Sequence, residues 1–189
     1  MPIKYLTTIL ASVLLAATVA IGASAVNPAV SEAASGGSAP KCGGGKVFLT
    51  SQEKRSFVLH NRVRRNHNLR PFCVNPRLEK AARAHSRDMI RRDYFTHNTK
   101  GGGTFEQRLK RFGYTPNGYR YYTIGENIAW GSGSYGTPDR IFRSWMNSSP
   151  HRHNILNGKF HEIGIGAFTG TYKGYRNATM YTADFGTRR

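Results

Sequence analysis

The chain has 189 residues, with 28 Lys and Arg against 10 Asp and Glu, a formal net charge of +18. That length suits one folded domain, and no internal repeat divides it. No apolar run after Ile21 is long enough to span a membrane, which excludes a multi-span membrane protein.

Lys4 precedes an apolar run from Leu6 to Ile21, and Ala23-Ser24-Ala25 follows as a small-residue cleavage site. Residues 1–25 therefore read as an export signal; an uncleaved anchor helix is the other reading, disfavoured by the shortness of the run. Removing Lys4 leaves 27 basic against 10 acidic side chains, a formal +17. Residues 26–46 are dominated by Ala, Ser, Gly and Pro and read as a flexible linker, with residues 47–189 as the domain. Export places Cys42 and Cys73 in an oxidising setting, where a bridge is expected to tie the linker's end to the loop after the first helix. Two unpaired thiols are the alternative.

Four helices follow from caps and spacing. Thr50 or Ser51 caps the first, with Glu53 placed to reach back. Its apolar stripe is Phe57, Val58, Asn61 and Val63, and basic residues crowd its end. Asn75-Pro76 opens the second, where Leu78, Ala81, Ala82, His85, Met89 and Ile90 keep helical spacing to about Arg92. Thr104 with Gln107 opens the third, with Phe105, Leu109 and Phe112 inward and Gly113 at its end. Thr137-Pro138 opens the fourth, which buries Ile141, Phe142, Trp145 and Met146 before a short turn over 151–156.

Strands come late. Tyr121 to Ala129 is a candidate, and Glu162 to Thr169 pairs with Ala178 to Phe185 across turn chemistry at Lys173-Gly174. Helices first and strands interleaved and last predict an α+β layered domain.

Three motifs place His97, Glu126 and His151 at separate loop edges, in Phe95-Thr96-His97, Gly125-Glu126-Asn127 and Ser149-Pro150-His151. Two imidazoles and a carboxylate could ligate zinc or another divalent cation. Alternatively, Glu126 hydrogen-bonds both histidines in a metal-free polar cluster. Ser148, His151 and Asp184 are the residue types of a hydrolytic triad, but no nucleophile-elbow pattern surrounds Ser148. His85 lies on an apolar stripe and reads as a core residue, while His60, His67, His153 and His161 read as surface or structural.

These motifs, with Ile163-Gly164-Ile165-Gly166, Tyr181-Thr182-Ala183-Asp184-Phe185-Gly186, Leu59-His60-Asn61 and Ala84-His85-Ser86, resemble the CAP superfamily in its bacterial secreted branch. That superfamily groups cysteine-rich secretory, antigen-five and pathogenesis-related class-one proteins. The resemblance covers about Phe57 to Gly186. It implies a three-layer α-β-α sandwich with a mainly antiparallel central sheet. It also implies a cleft tetrad of two His and two Glu, often metal-binding, carried here by His97, Glu126 and His151. The second Glu falls on Ser148, so this chain keeps three of the four.

The implied function is that of a secreted, monomeric binding protein engaging lipid or anionic envelope polymer at a membrane or wall surface. The surface cations expected to carry it are Arg62, Arg64, Arg65, Arg91, Arg92, Lys110 and Arg111. A metal-assisted hydrolase of peptide or lipid, using the same cleft, is the alternative. Non-specific nucleic-acid binding rests only on charge; no nucleic-acid motif accompanies it, and no specific nucleic-acid partner is expected.

Overall fold

The computed structural model describes residues 36–189. The export-signal segment 1–25 and most of the expected linker lie outside the described residues. Among those described, no helix is long and apolar enough to cross a membrane.

The described end of the expected linker differs from that expectation. It folds into a hairpin of β1 (Gly37–Pro40) and β2 (Lys46–Leu49). Gly43, Gly44 and Gly45 all take positive φ in the turn between them, a conformation glycine adopts without strain. The glycines that read as linker composition are thus turn chemistry. Ala39 and Leu49 are buried, Lys54 Nζ donates to Ser38 O at 2.7 Å, and the Cys42–Cys73 disulfide anchors the turn. In the chain-entropy picture, closing a loop of this length stabilises the fold by about 3–4 kcal/mol.

Helix α1 (Ser51–Asn66) starts at a complete Thr50–Glu53 capping box, and α2 (Pro76–Arg91) at the Asn75 cap with Pro76 behind it. Strand β3 (Cys73–Val74) lies between them. Helix α3 (Phe105–Arg111) opens with the Thr104–Gln107 box. Strand β4 (Tyr122–Ser132) then leads through a short 3-10 turn to α4 (Pro138–Asn147) and α5 (Ser149–Leu156). At the start of α4, Thr137 caps no helix amide; its hydroxyl donates to Ser134 O. Strands β5 (Glu162–Tyr172) and β6 (Tyr175–Arg188) close the fold, both longer than their apolar alternation indicates.

The main sheet has the order β3-β5-β6-β4, with β3 parallel to β5 and the other pairs antiparallel. Its two faces are covered by different layers. On one, Ile163, Ile165, Ala183 and Phe185 join Phe57, Phe72, Ile141, Trp145 and Ile155 from the α1, α4 and α5 side. On the other, α2 sits directly on the backbone of β5. A Cβ on Gly164 would lie 2.1 Å from Leu78 C, and one on Gly166 would lie 2.3 Å from Ala82 C. The Ile-Gly-Ile-Gly alternation therefore sends side chains to one layer and leaves room for a helix on the other. The result is an α+β three-layer sandwich around a mainly antiparallel sheet.

One basic residue expected on the surface is in the interior. Arg64 is fully buried, and its guanidinium donates to the carbonyls of Arg70, Ile155, Asn157 and Phe160 at 2.8–3.0 Å. It lies 3.9 Å over the Phe72 ring. Arg64 shares the inward stripe of Phe57 and Asn61, which places it against the loop that follows α5. Arg62 and Arg65, its neighbours, are exposed.

Candidate functional site

Strand β4 is an edge of the main sheet, and the site is built across it. Glu126 stands on the α2–α3 face of β4, opposite Asp184 of β6. Two residues pin the loop carrying His97 after α2: His85 Nε2 donates to Thr96 O at 3.0 Å, and Arg108 Nη1 donates to His97 O at 2.9 Å. On the other side, α5 is held to β4 by Asn127 Nδ2 donating to His151 O and Asn154 Nδ2 donating to Asn127 Oδ1, at 3.0 and 2.9 Å.

The Glu126 side chain is 1% exposed and both its oxygens are engaged. Oε1 accepts from His97 Nδ1 at 2.8 Å, and Oε2 pairs with Arg108 Nη2. Burial pushes the Glu126 carboxyl up to about 7, opposed by the Arg108 charge and by hydrogen bonds from Asp184 and Arg108. Asp184 is fully buried and raised well above the usual carboxylate range, by burial and then by Glu126.

His97 is half exposed, and burial followed by the Arg108 charge lowers its pKa. With Nδ1–H committed to Glu126, its Nε2 lone pair is left free. His151 Nδ1 lies 2.8 Å from Ser148 Oγ, and its pKa is lowered by burial and then by His97. The cleft therefore presents two largely neutral imidazoles above a buried Arg–Glu–Asp network.

The structure thus brings His97 and Glu126 together as one pair and His151 and Ser148 as another. As placed, His97, His151 and Glu126 do not converge as a three-ligand set: His97 Nδ1 and Arg108 hold Glu126, and His151 Nδ1 turns to Ser148. No group of three His, Cys, Asp or Glu is set to hold a metal among the described residues. The triad of Ser148, His151 and Asp184 does not assemble either: Asp184 lies buried behind Glu126, with neither oxygen bonded to a histidine. Sequence reasoning missed Arg108. Its signal was present, a single arginine on the stripe of Phe105, Leu109 and Phe112.

Buried groups give the fold an unusual pH response. Glu126 and Glu79 are raised from 4.5 to about 7 and about 8, the latter by burial and then the Glu53 charge. Between those values the folded state holds protons that the unfolded chain has released, so stability falls as pH rises. His60 and His85 act oppositely: burial lowers them from 6.5 to about 4 and about 3, with Arg108 adding to the shift at His85. Stability from these histidines rises with pH only up to 6.5. The expected melting temperature is therefore nearly level at mildly acid pH and falls between 6.5 and 8. A calorimetric scan series in which it stays level or rises across that interval would show these buried carboxylates already ionised in the fold.

A family model described as CAP, the cysteine-rich secretory protein family, matches residues 57–185. Two Bacillus subtilis strain 168 proteins align with the chain. YkwD is 39% identical over 118 residues, 62% of this chain and 43% of YkwD. The membrane protein YlbC is 31% identical over 121 residues, 64% of this chain and 33% of YlbC. The chain thus spans less than half the length of these relatives. Among solved structures, an outer surface protein from Borrelia burgdorferi matches with a TM-score of 0.60 at 22% identity, over 72% of this chain and 92% of that one. An extracellular protein containing an SCP domain from Bacillus anthracis matches at 0.57 and 28% identity, over 75% and 46% respectively.

Proposed function

Because the chain belongs to the CAP, or cysteine-rich secretory protein, family, we propose that it is an exported binding module docking on anionic components of the cell envelope. Similarity to an extracellular protein supports export.

The observation that carries the reading is a row of cations on the outer face of α2. Arg77, Lys80, Arg87 and Arg91 are all exposed, recur at helical spacing, and have no carboxylate partner among the described residues. The carboxylates that might neutralise them are engaged elsewhere: Glu53 and Glu79 with Arg83, Asp139 with Arg55, and Glu126 with Arg108. Near an anionic surface each such cation contributes on the order of 1 kcal/mol. Arg111 extends the field beside the row, while Arg92 and Lys110 are paired with Asp88 and Glu106. The hydrolase alternative has no observation of its own in support; the Glu126 carboxyl is held by His97 and Arg108.

Co-sedimentation tests the reading. Binding to phosphatidylglycerol vesicles or to anionic wall polymer is expected to be strong at low salt and mostly lost near roughly half-molar salt, where the Debye length falls to a few ångströms. Replacing Arg77, Lys80, Arg87 and Arg91 together by Gln should abolish it, while His97→Ala and added chelator leave it nearly unchanged. Binding that survives high salt and disappears in His97→Ala, or on chelation, overturns the surface reading in favour of the cleft.

A further inference from the structure

The β5–β6 hairpin runs past its neighbour. Pairing with β4 stops at Ser132 and Ala178, so residues 171–177 extend beyond the edge strand. Lys173 and Gly174 both take positive φ and close the Tyr172–Tyr175 pair in a tight turn. Lys173 N also donates to Asp93 Oδ1 at 2.8 Å, which ties the tip to the chain just after α2. A Cβ on Gly170 would lie 2.6 Å from Ile90 Cγ2, so α2 packs onto β5 up to the base of the tip.

Two kinds of side chain meet there. The first is aromatic. Tyr175 is 55% exposed and lies 5.6 Å from the ring of half-buried Trp130, which packs edge-on to Tyr172 at 4.8 Å. The second is cationic. Lys173 and Arg176 are exposed, and Lys173 Nζ sits 5.6 Å over the Tyr172 ring. Arg87 and Arg91 of α2 reach the same end, 5.6 and 5.9 Å over half-buried Phe168 of β5. None of these four cations has a carboxylate partner among the described residues. Of the neighbouring carboxylates, Asp88 is paired with Arg92, and Asp93 accepts from the Lys173 amide. Rings with an apolar body and a polar edge, surrounded by unpaired cations, match the headgroup layer of an anionic bilayer. A soluble polyanion would satisfy the cations and leave Tyr175 in water.

We propose that this hairpin tip enters the interface of an anionic lipid bilayer, with Tyr175 and Trp130 among the headgroups and Lys173, Arg176, Arg87 and Arg91 on the lipid phosphates. This deepens the envelope-binding reading and rests on it, naming the lipid surface rather than wall polymer as the partner of the tip. Arg87 and Arg91 belong to both surfaces, because the α2 row of cations ends beside the hairpin.

Phosphatidylglycerol vesicles are the probe, with Tyr175→Trp as the reporter. Its indole is expected to shift emission to the blue on binding and to be quenched by lipids brominated near the headgroup end of the chain, whereas Trp145, 1% exposed, stays out of reach. Lys173→Gln combined with Arg176→Gln is expected to weaken vesicle binding about thirtyfold, the loss of two cations at the membrane surface. Tyr175→Ser should weaken it severalfold while binding anionic wall polymer as the parent does. All three positions are exposed, and unchanged melting temperatures would show the variants folded. Reporter emission unmoved by bound vesicles, tip variants that bind vesicles like the parent, or a Tyr175→Ser loss equal on vesicles and polymer overturns the proposal and leaves the surface reading standing. A blue shift without lipid, together with a dimer in sedimentation, makes a second copy the occupant and also overturns it. If the parent binds neither vesicles nor polymer, the surface reading falls and the tip proposal with it.

Discussion

Replacing Arg64 with Met is expected to lower the unfolding free energy by about 4 kcal/mol, in the range for removing one partner from a buried charged network. The side chain is fully buried and spans two parts of the fold, donating to Arg70 O beyond α1, to Ile155 O in the last turn of α5 and to Asn157 and Phe160 O after it. Burial lowers its pKa only to about 10, so it remains a cation at neutral pH. Met keeps much of the volume and none of the donors. The carbonyls are then left to recruit water or go unsatisfied, at about 1–3 kcal/mol for each that stays buried. Arg64→Lys should recover only part of the loss, since an ammonium cannot present a planar fork to several carbonyls. Denaturant unfolding with matched slopes measures the difference. A change under about 1 kcal/mol would mean that these bonds contribute little net stability.

Gly166→Ala is expected to destabilise by about 3 kcal/mol or to prevent folding outright. The new Cβ would lie 2.3 Å from Ala82 C and O and 2.4 Å from Arg83 N. These are backbone atoms in the middle of a helix, so no side chain can rotate away. Relief requires lifting α2, which breaks the bond from Ser86 Oγ to Gly166 O and disturbs buried Leu78, Ala81 and Ala82. The same movement carries His85 away from Thr96 O and loosens the loop that holds His97. Gly158→Ala is the control: its Cβ would meet only Leu69 Cδ2 at 3.7 Å, and little change is expected. A Gly166→Ala protein as stable as the parent would show that α2 and β5 are not in direct backbone contact.

The helices were legible because their starts depend on residues a few positions apart. Thr50 with Glu53, and Thr104 with Gln107, form their capping boxes as the local pattern indicates. The first hairpin was not legible. A run of glycines has the same composition in a linker and in a tight turn, and only pairing of Gly37–Pro40 with Lys46–Leu49 separates the two. Arg64 and Arg108 share a different difficulty. Each lies on an apolar stripe, yet a basic residue near a helix end more often faces water. What makes them interior is a set of acceptors contributed by distant chain.

By itself, the sequence determined the family, the helix starts, the alternation of β5 and β6, and the residue types in the cleft, since all of these reside in short-range patterns. Tertiary structure alone decided what Glu126 does. A carboxylate's role depends on which donors reach its two oxygens. One is His97 Nδ1, 29 residues back, and the other is Arg108, 18 residues back on a separate helix. Neither separation leaves a periodic signal in the chain.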